Sequence, residues 1–102
     1  MPQYVPVAQI SAMAPGTVKI VEAGEQRIAL CNVDGTFHAI EDRCSHDNGP
    51  LGEGELVGNL LECPRHGARF DVTNGRPMTL PAVVPVRRFP VKVEGGRVFV
   101  EV

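Results

Sequence analysis

CSHDNGPL (44–51) and CPRHGARFD (63–71) decide how this chain reads. Together they hold Cys44, His46, Cys63 and His66, with sixteen residues between His46 and Cys63. Each stretch offers one thiolate and one imidazole at short spacing. Two such loops lying side by side would present two sulfurs and two nitrogens to one metal centre. The flanking residues suit tight loops: Gly49–Pro50 follow the first pair, Pro64 sits inside the second, and Gly67 follows it. Glycine lets the backbone approach closely, and its N–H groups can donate to metal-bound sulfur.

Two metals accept such a ligand set. Zinc takes Cys and His in tetrahedral sites, and an iron–sulfur cluster of mixed ligation takes two of each. Zinc fingers usually pair Cys with Cys at short spacing, whereas here each Cys is paired with a His. Two buried cysteines with two unrelated surface histidines would leave both spacings to coincidence. A Cys–His hydrolase lacks a nucleophile elbow or any other element of a site.

The 102 residues suffice for one domain with its own core, 1–102. Hydrophobic content of 43% and charged content of 22% are ordinary for a soluble globular protein. The longest near-apolar run, LPAVVPV (80–86), is too short to span a membrane and carries two prolines. The start MPQYVPVAQ shows no basic region followed by an apolar stretch, so a cytoplasmic location is expected. A net charge of −2 argues against nucleic acid as a partner. Residues 1–62 hold three basic against nine acidic groups (−6), and residues 63–102 seven against three (+4). Such segregation either follows from ordinary solvated strands or orients a docking partner. Cys31, in the apolar run IALCNV (28–33), reads as a small buried hydrophobe, so no disulfide scaffold is expected.

The chain reads as all-β. Short apolar alternations are punctuated by turn residues, and no stretch of eleven or more residues carries a helical period. Strands are expected at Gln3–Val7, at a segment holding Val18 and Ile20 that ends near Ala23–Gly24, at Gln26–Val33 and at Thr36–Glu41, with a loop over Ser11–Gly16. Asp34–Gly35 suit a type I′ hairpin turn. Near the end, Phe89, Val91 and Val93 alternate with polar residues, Gly95–Gly96 turn, and Val98, Val100 and Val102 alternate again. Pro90 lacks an N–H donor, which places its strand at an edge or at a bulge. The stretch from Arg43 to Pro85 is rich in Gly, Pro, Asn and Asp, with short strand-like pieces at Leu56–Val57, Asn59–Glu62 and Arg69–Val72. It reads as an insertion, 43–85, that buries little core of its own and relies on a metal cluster to hold its loops.

Beyond spacing, the run of boxes is similar to the Rieske ferredoxins. DGTFHAIED (34–42), CSHDNGPL (44–51), CPRHGARFD (63–71), TNG (73–75) and PAVVPV (81–86) resemble that family's successive segments, across nearly the whole chain. The resemblance implies a fold of small antiparallel sheets in a sandwich, with a cluster-binding subdomain at one tip. It implies one [2Fe–2S] cluster per subunit. Cys44 and Cys63 would ligate the inner iron, and His46 and His66 the outer iron, which takes the electron. A proline loop around Pro81–Pro85 would cover the cluster. The implied role is a one-electron carrier, not an enzyme. Its partners would be a flavin-dependent, NAD(P)H-linked ferredoxin reductase and a terminal oxygenase of the aromatic-ring-hydroxylating dioxygenase type. A monomer is expected. The alternative is a small non-catalytic subunit of a larger enzyme, such as an assimilatory nitrite reductase. That class often lacks ligands, and all four are present here.

The neighbours of the ligands bear on the potential. Rieske centres span roughly −150 to +300 mV, because imidazoles replace thiolates on one iron. High-potential relatives carry an extra Cys in each box, forming a disulfide, and Ser and Tyr hydroxyls that hydrogen-bond sulfur. Here the corresponding residues are Asn48 or Gly49, Arg65, Ala68 and Phe70. Neither Ala68 nor Phe70 has a side-chain donor, so a low-potential centre is expected. Arg65 is either a solvent-facing side chain or a positive contact for a partner. His38 reads as a half-exposed strand residue, Asp47 and Asp71 as turn formers, and Glu53 and Glu55 as loop charges or docking carboxylates.

Overall fold

The computed structural model describes residues 3–43, 51–64, 67–78 and 85–102. Eleven strands are seen among them: β1 (Tyr4–Gln9), β2 (Val18–Ala23), β3 (Gln26–Val33), β4 (Thr36–Glu41), β5 (Glu55–Val57), β6 (Leu60–Glu62), β7 (Arg69–Asp71), β8 (Arg76–Pro77), β9 (Arg88–Phe89), β10 (Val91–Glu94) and β11 (Arg97–Glu101). A single 3-10 turn, Ile10–Ala12, follows β1. The fold is all-β, as the alternation implied. Three antiparallel sheets form, in the orders β1-β11-β10, β2-β3-β4-β9 and β5-β6-β7-β8.

Strand β3 explains the stacking. Because side chains alternate across a strand, a run apolar at every position must be covered on both faces. Ile28 and Leu30 pack with Val98, Val100 and Phe89 on one side, against the β1-β11-β10 sheet. Ala29 and Cys31 pack with Leu61, Phe70 and Val72 on the other, against the β5-β8 sheet. The register agrees: Leu30 pairs with Ala39 and Ala29 with Ile40, each pair contributing to one core. The β2-β3-β4-β9 sheet is thus the middle layer of three.

The hairpin β3–β4 closes as expected, with Asp34 at φ 51° and Gly35 at φ 90°. The Asn32 side chain fixes its base, accepting from Gly35 N–H at 2.8 Å and donating to the Met13 carbonyl at 2.9 Å. Two expectations need correction. First, residues 88–94 are not one strand. Arg88–Phe89 pair with β4, while Val91–Glu94 pair with β11. Pro90, with no N–H to give a ladder, sits where the chain changes sheets, and β9 and β10 are both edge strands. Second, the middle of the chain does bury core: Leu51, Leu61, Ala68, Phe70 and Val72 are all fully covered. Its short strands lack length, but their inward residues meet a ready-made apolar face on β3 and β4.

Candidate iron–sulfur site

Of the four residues singled out as ligands, Cys63 is placed by the structure. Cys44, His46 and His66 lie outside the described residues, as do Asp47, Asn48, Gly49, Arg65 and Pro81 to Val84. What the structure gives is the frame from which these segments spring.

Cys63 directly follows β6 and opens a turn. Its N–H donates to the Ala68 carbonyl at 2.6 Å, and Gly67 N–H donates to the Cys63 carbonyl at 3.0 Å. Gly67 closes the turn with φ 71°. Its N–H takes part in the turn. The Cys63 side chain is 1% exposed, lies among Leu51, Leu61, Ala68 and Phe70, and forms no disulfide. A buried free thiol at the root of a loop suits a metal ligand, since the apolar surroundings keep water from the metal–sulfur bond.

The first ligand segment leaves β4 through Arg43 and returns at Leu51. Leu51 shares the core of Cys63, and Gly52 N–H donates to Asp42 Oδ1 at 2.6 Å. The third segment leaves after Met78 and returns at Pro85–Val86. Met78 N–H donates to the Arg69 carbonyl at 2.7 Å, and Val86 N–H to the Gly75 carbonyl at 2.9 Å. Val86 belongs to the same core as Leu51 and Cys63. Both ends of the second segment and the returns of the first and third therefore meet in one apolar cluster. That arrangement fits a compact centre held by two ligand loops with a third loop beside it.

Asp71 organises the turn beneath the third segment. Its Oδ1 accepts from the Thr73 N–H at 2.9 Å and the Thr73 hydroxyl at 2.6 Å, while its carbonyl accepts from Gly75 N–H at 2.7 Å. Burial pushes the Asp71 carboxyl up, but the Thr73 and Asn59 hydrogen bonds and nearby His38 outweigh it, leaving the carboxyl below its ordinary range. Arg88 Nη1 donates to the Thr73 carbonyl at 2.9 Å, tying this turn to β9. His38 is half-buried on β4, as expected. Burial, then the charge of Arg88, holds its imidazole below the usual value against the opposing pull of Asp71.

Ala68 and Phe70 are both fully buried around Cys63, so neither position offers a hydroxyl to the sulfur environment. Glu53, Glu55 and Glu62 line an open cavity of about 790 Å³ together with Cys63, Pro64 and Gly67. The negative half of the sequence thus reaches the flank of the second ligand turn. The residues that sequence reasoning missed are Asp42 and Gly52. The only signal was a carboxylate two positions before Cys44.

The family model of the Rieske [2Fe–2S] domain matches residues 3–90. The chain is 45% identical over 89 residues to the ferredoxin component of biphenyl 2,3-dioxygenase of Rhodococcus jostii RHA1, covering 87% of this chain and 83% of that protein. It superposes on the ferredoxin of carbazole 1,9a-dioxygenase from Nocardioides aromaticivorans IC177 with a TM-score of 0.93 at 32% identity, covering 96% of each chain. A chain in the complex of reduced oxygenase and oxidized ferredoxin of carbazole 1,9a-dioxygenase matches with a TM-score of 0.90 at 40% identity, covering 95% of this chain and 91% of that one. No helix among the described residues is long and apolar enough to cross a membrane. With a buried cysteine at the root of the second segment and the returns of the other two in the same core, the chain belongs to the Rieske [2Fe–2S] family, as a ferredoxin that carries electrons and is not itself an oxygenase.

Proposed function

We propose that Cys44 and Cys63 hold one iron of the cluster and His46 and His66 the other. Residues 43–85 form a cluster-binding subdomain inserted in the β base of a single domain, 1–102. The observation that carries this reading is the shared core of Leu51, Cys63, Ala68 and Val86, which roots the segments on either side of the ligand positions. When bound, the cluster supplies one-electron redox chemistry. The chain's own part is to exclude water around Cys63 and to leave the sulfur environment poor in hydroxyl donors at Ala68 and Phe70. A donor-poor environment stabilises the more negative, reduced state less, which favours a potential near the lower end of the Rieske range.

The protein acts in the cytoplasm as a monomer. It takes one electron from an NAD(P)H-linked flavin reductase and passes it to a terminal oxygenase of the aromatic-ring dioxygenase type. Likeness to the biphenyl dioxygenase ferredoxin component supports this carrier reading over that of a nitrite reductase subunit. Visible and EPR spectra of anaerobically purified protein test the ligands: a reduced centre with the low average g-value of mixed nitrogen and sulfur ligation is expected. A zinc-loaded, colourless protein would refute the assignment. A redox titration with a midpoint well above zero would refute the low potential. Reconstitution with a flavin reductase and an aromatic-ring dioxygenase should give oxygenation that stops when the ferredoxin is omitted.

A further inference from the structure

Asp42 is the only buried carboxylate among the described residues, and its side chain is 0% exposed. It stands two positions before Cys44. Its Oδ1 accepts the Gly52 N–H at 2.6 Å, a bond that closes the chain across 43–51, where Cys44 and His46 lie. Its Oδ2 lies 3.0 Å from Arg27 Nη2, an ion pair with no directed hydrogen bond. Its own N–H donates to the Arg27 carbonyl at 3.0 Å, fixing the backbone beneath. Gly52 is pressed into this contact: a Cβ there would meet Ile20 Cγ1 at 2.5 Å and Asp42 Oδ1 at 3.1 Å. The neighbouring Glu41 reaches the other way. Its Oε1 accepts the Arg87 N–H at 3.1 Å, and its N–H donates to the Arg87 carbonyl at 2.8 Å. The Glu41–Asp42 dipeptide therefore ties the exit of the first ligand segment to its return and to the chain just past the third segment.

A buried charge is costly unless it is paired, and a carboxylate accepting a backbone N–H makes one of the stronger hydrogen bonds available. We propose that Asp42 is a positioning residue for the cluster: its buried carboxylate closes the 43–51 loop and so holds Cys44 and His46 in register with Cys63 and His66. This rests on the ligand assignment proposed above. In this proposal Asp42 acts through the segment it closes.

The test compares holoprotein variants by the rate at which an iron chelator bleaches the cluster and by the EPR line shape after reduction. Asp42→Ala removes the acceptor and should bleach about tenfold faster or more, with altered g-values, since partners that orient metal ligands typically matter by that factor. Asp42→Asn keeps an oxygen for Gly52 N–H and should restore both readouts to near wild type. Val98→Ala, in the opposite core, lowers stability without touching the loop and should bleach like wild type. If Asp42→Ala gives no holoprotein, Gly52→Ala attacks the same bond from the other side and should show the same acceleration and altered spectrum. Wild-type bleaching and g-values in Asp42→Ala, or Val98→Ala bleaching as fast as Asp42→Ala, overturn the proposal. If wild type itself shows no Rieske spectrum, the ligand assignment fails. Hydrogen exchange at the Gly52 amide then decides whether Asp42 closes the loop, which requires faster exchange in Asp42→Ala.

Discussion

Cys31 and Cys63 show how one residue type takes two roles in a single core. Both are buried and both line the same apolar cluster. Cys63 opens a turn at a loop root, whereas Cys31 sits mid-strand on β3, opposite His38. Desolvation pushes the Cys31 thiol up to about 12 from an ordinary 9.0. Folded protein should therefore leave Cys31 unlabelled by alkylating reagents at about pH 8, with labelling appearing only on denaturation, as peptide mass spectrometry would read. The shift also predicts a pH dependence. A pKa raised by folding leaves stability intact below the unfolded value of 9.0 and removes it as pH climbs toward 12. His38 has the opposite sign. Its pKa is lowered on folding, chiefly by burial, so the unfolded chain binds the extra proton first. Stability is full above about 6.5 and falls as pH drops through the depressed folded value. Urea denaturation of wild type and His38→Gln at about pH 7 and pH 5 should show a smaller acid loss in the variant. Cys31 as an inert hydrophobe and His38 as a half-buried strand residue were both legible in the sequence, because each depends on strand alternation. The opposed pulls of Arg88 and Asp71 on His38 were not, since both are brought near only by folding.

At the scale of elements, the turn after β7 matters most, because it seats the segment that returns at Val86. Gly75 has φ +79°, and a Cβ there would lie 2.3 Å from the Val86 carbonyl oxygen. Gly58, in the β5–β6 hairpin, has φ +61° with nothing within 4 Å. Gly58→Ala should cost about 1–2 kcal/mol, from the left-handed conformation alone. Gly75→Ala carries that cost plus a backbone clash and should lose clearly more, about 3 kcal/mol or above, in a urea titration. Equal losses would mean that the 71–75 turn and Val86 are not locked together. The strands themselves were largely readable: Gln26–Val33 and Thr36–Glu41 match the expected bounds, and the turn at Asp34–Gly35 forms. Residues 88–94 misread because their alternation continues unbroken through Pro90. Periodicity reports which way side chains point and carries no information about which neighbouring strand supplies the hydrogen bonds.

The whole molecule is a middle sheet with a core on each side, and the two cores divide labour. One joins the middle sheet to the β1-β11-β10 sheet; the other joins it to the sheet that bears Cys63. Leu30→Ala and Leu61→Ala each remove a fully buried side chain and should each cost about 2–5 kcal/mol. They should differ in the visible spectrum. Leu61 lies beside Cys63, so its loss should weaken cluster retention under a chelator, while Leu30→Ala should unfold more easily yet hold the cluster as wild type does below its transition. Matching cluster loss in both would show that the two cores do not act separately. By itself, the sequence supplied the candidate ligands and their spacing, and it determined the all-β class and the Asp34–Gly35 turn, because each is set by residues close together in the chain. Tertiary structure alone decided that Leu51, Cys63 and Val86 share a core, that Pro90 passes the chain between sheets, and that Asp42 reaches Gly52. Those contacts join residues far apart in sequence, and only the burial of apolar surface from distant strands brings them together.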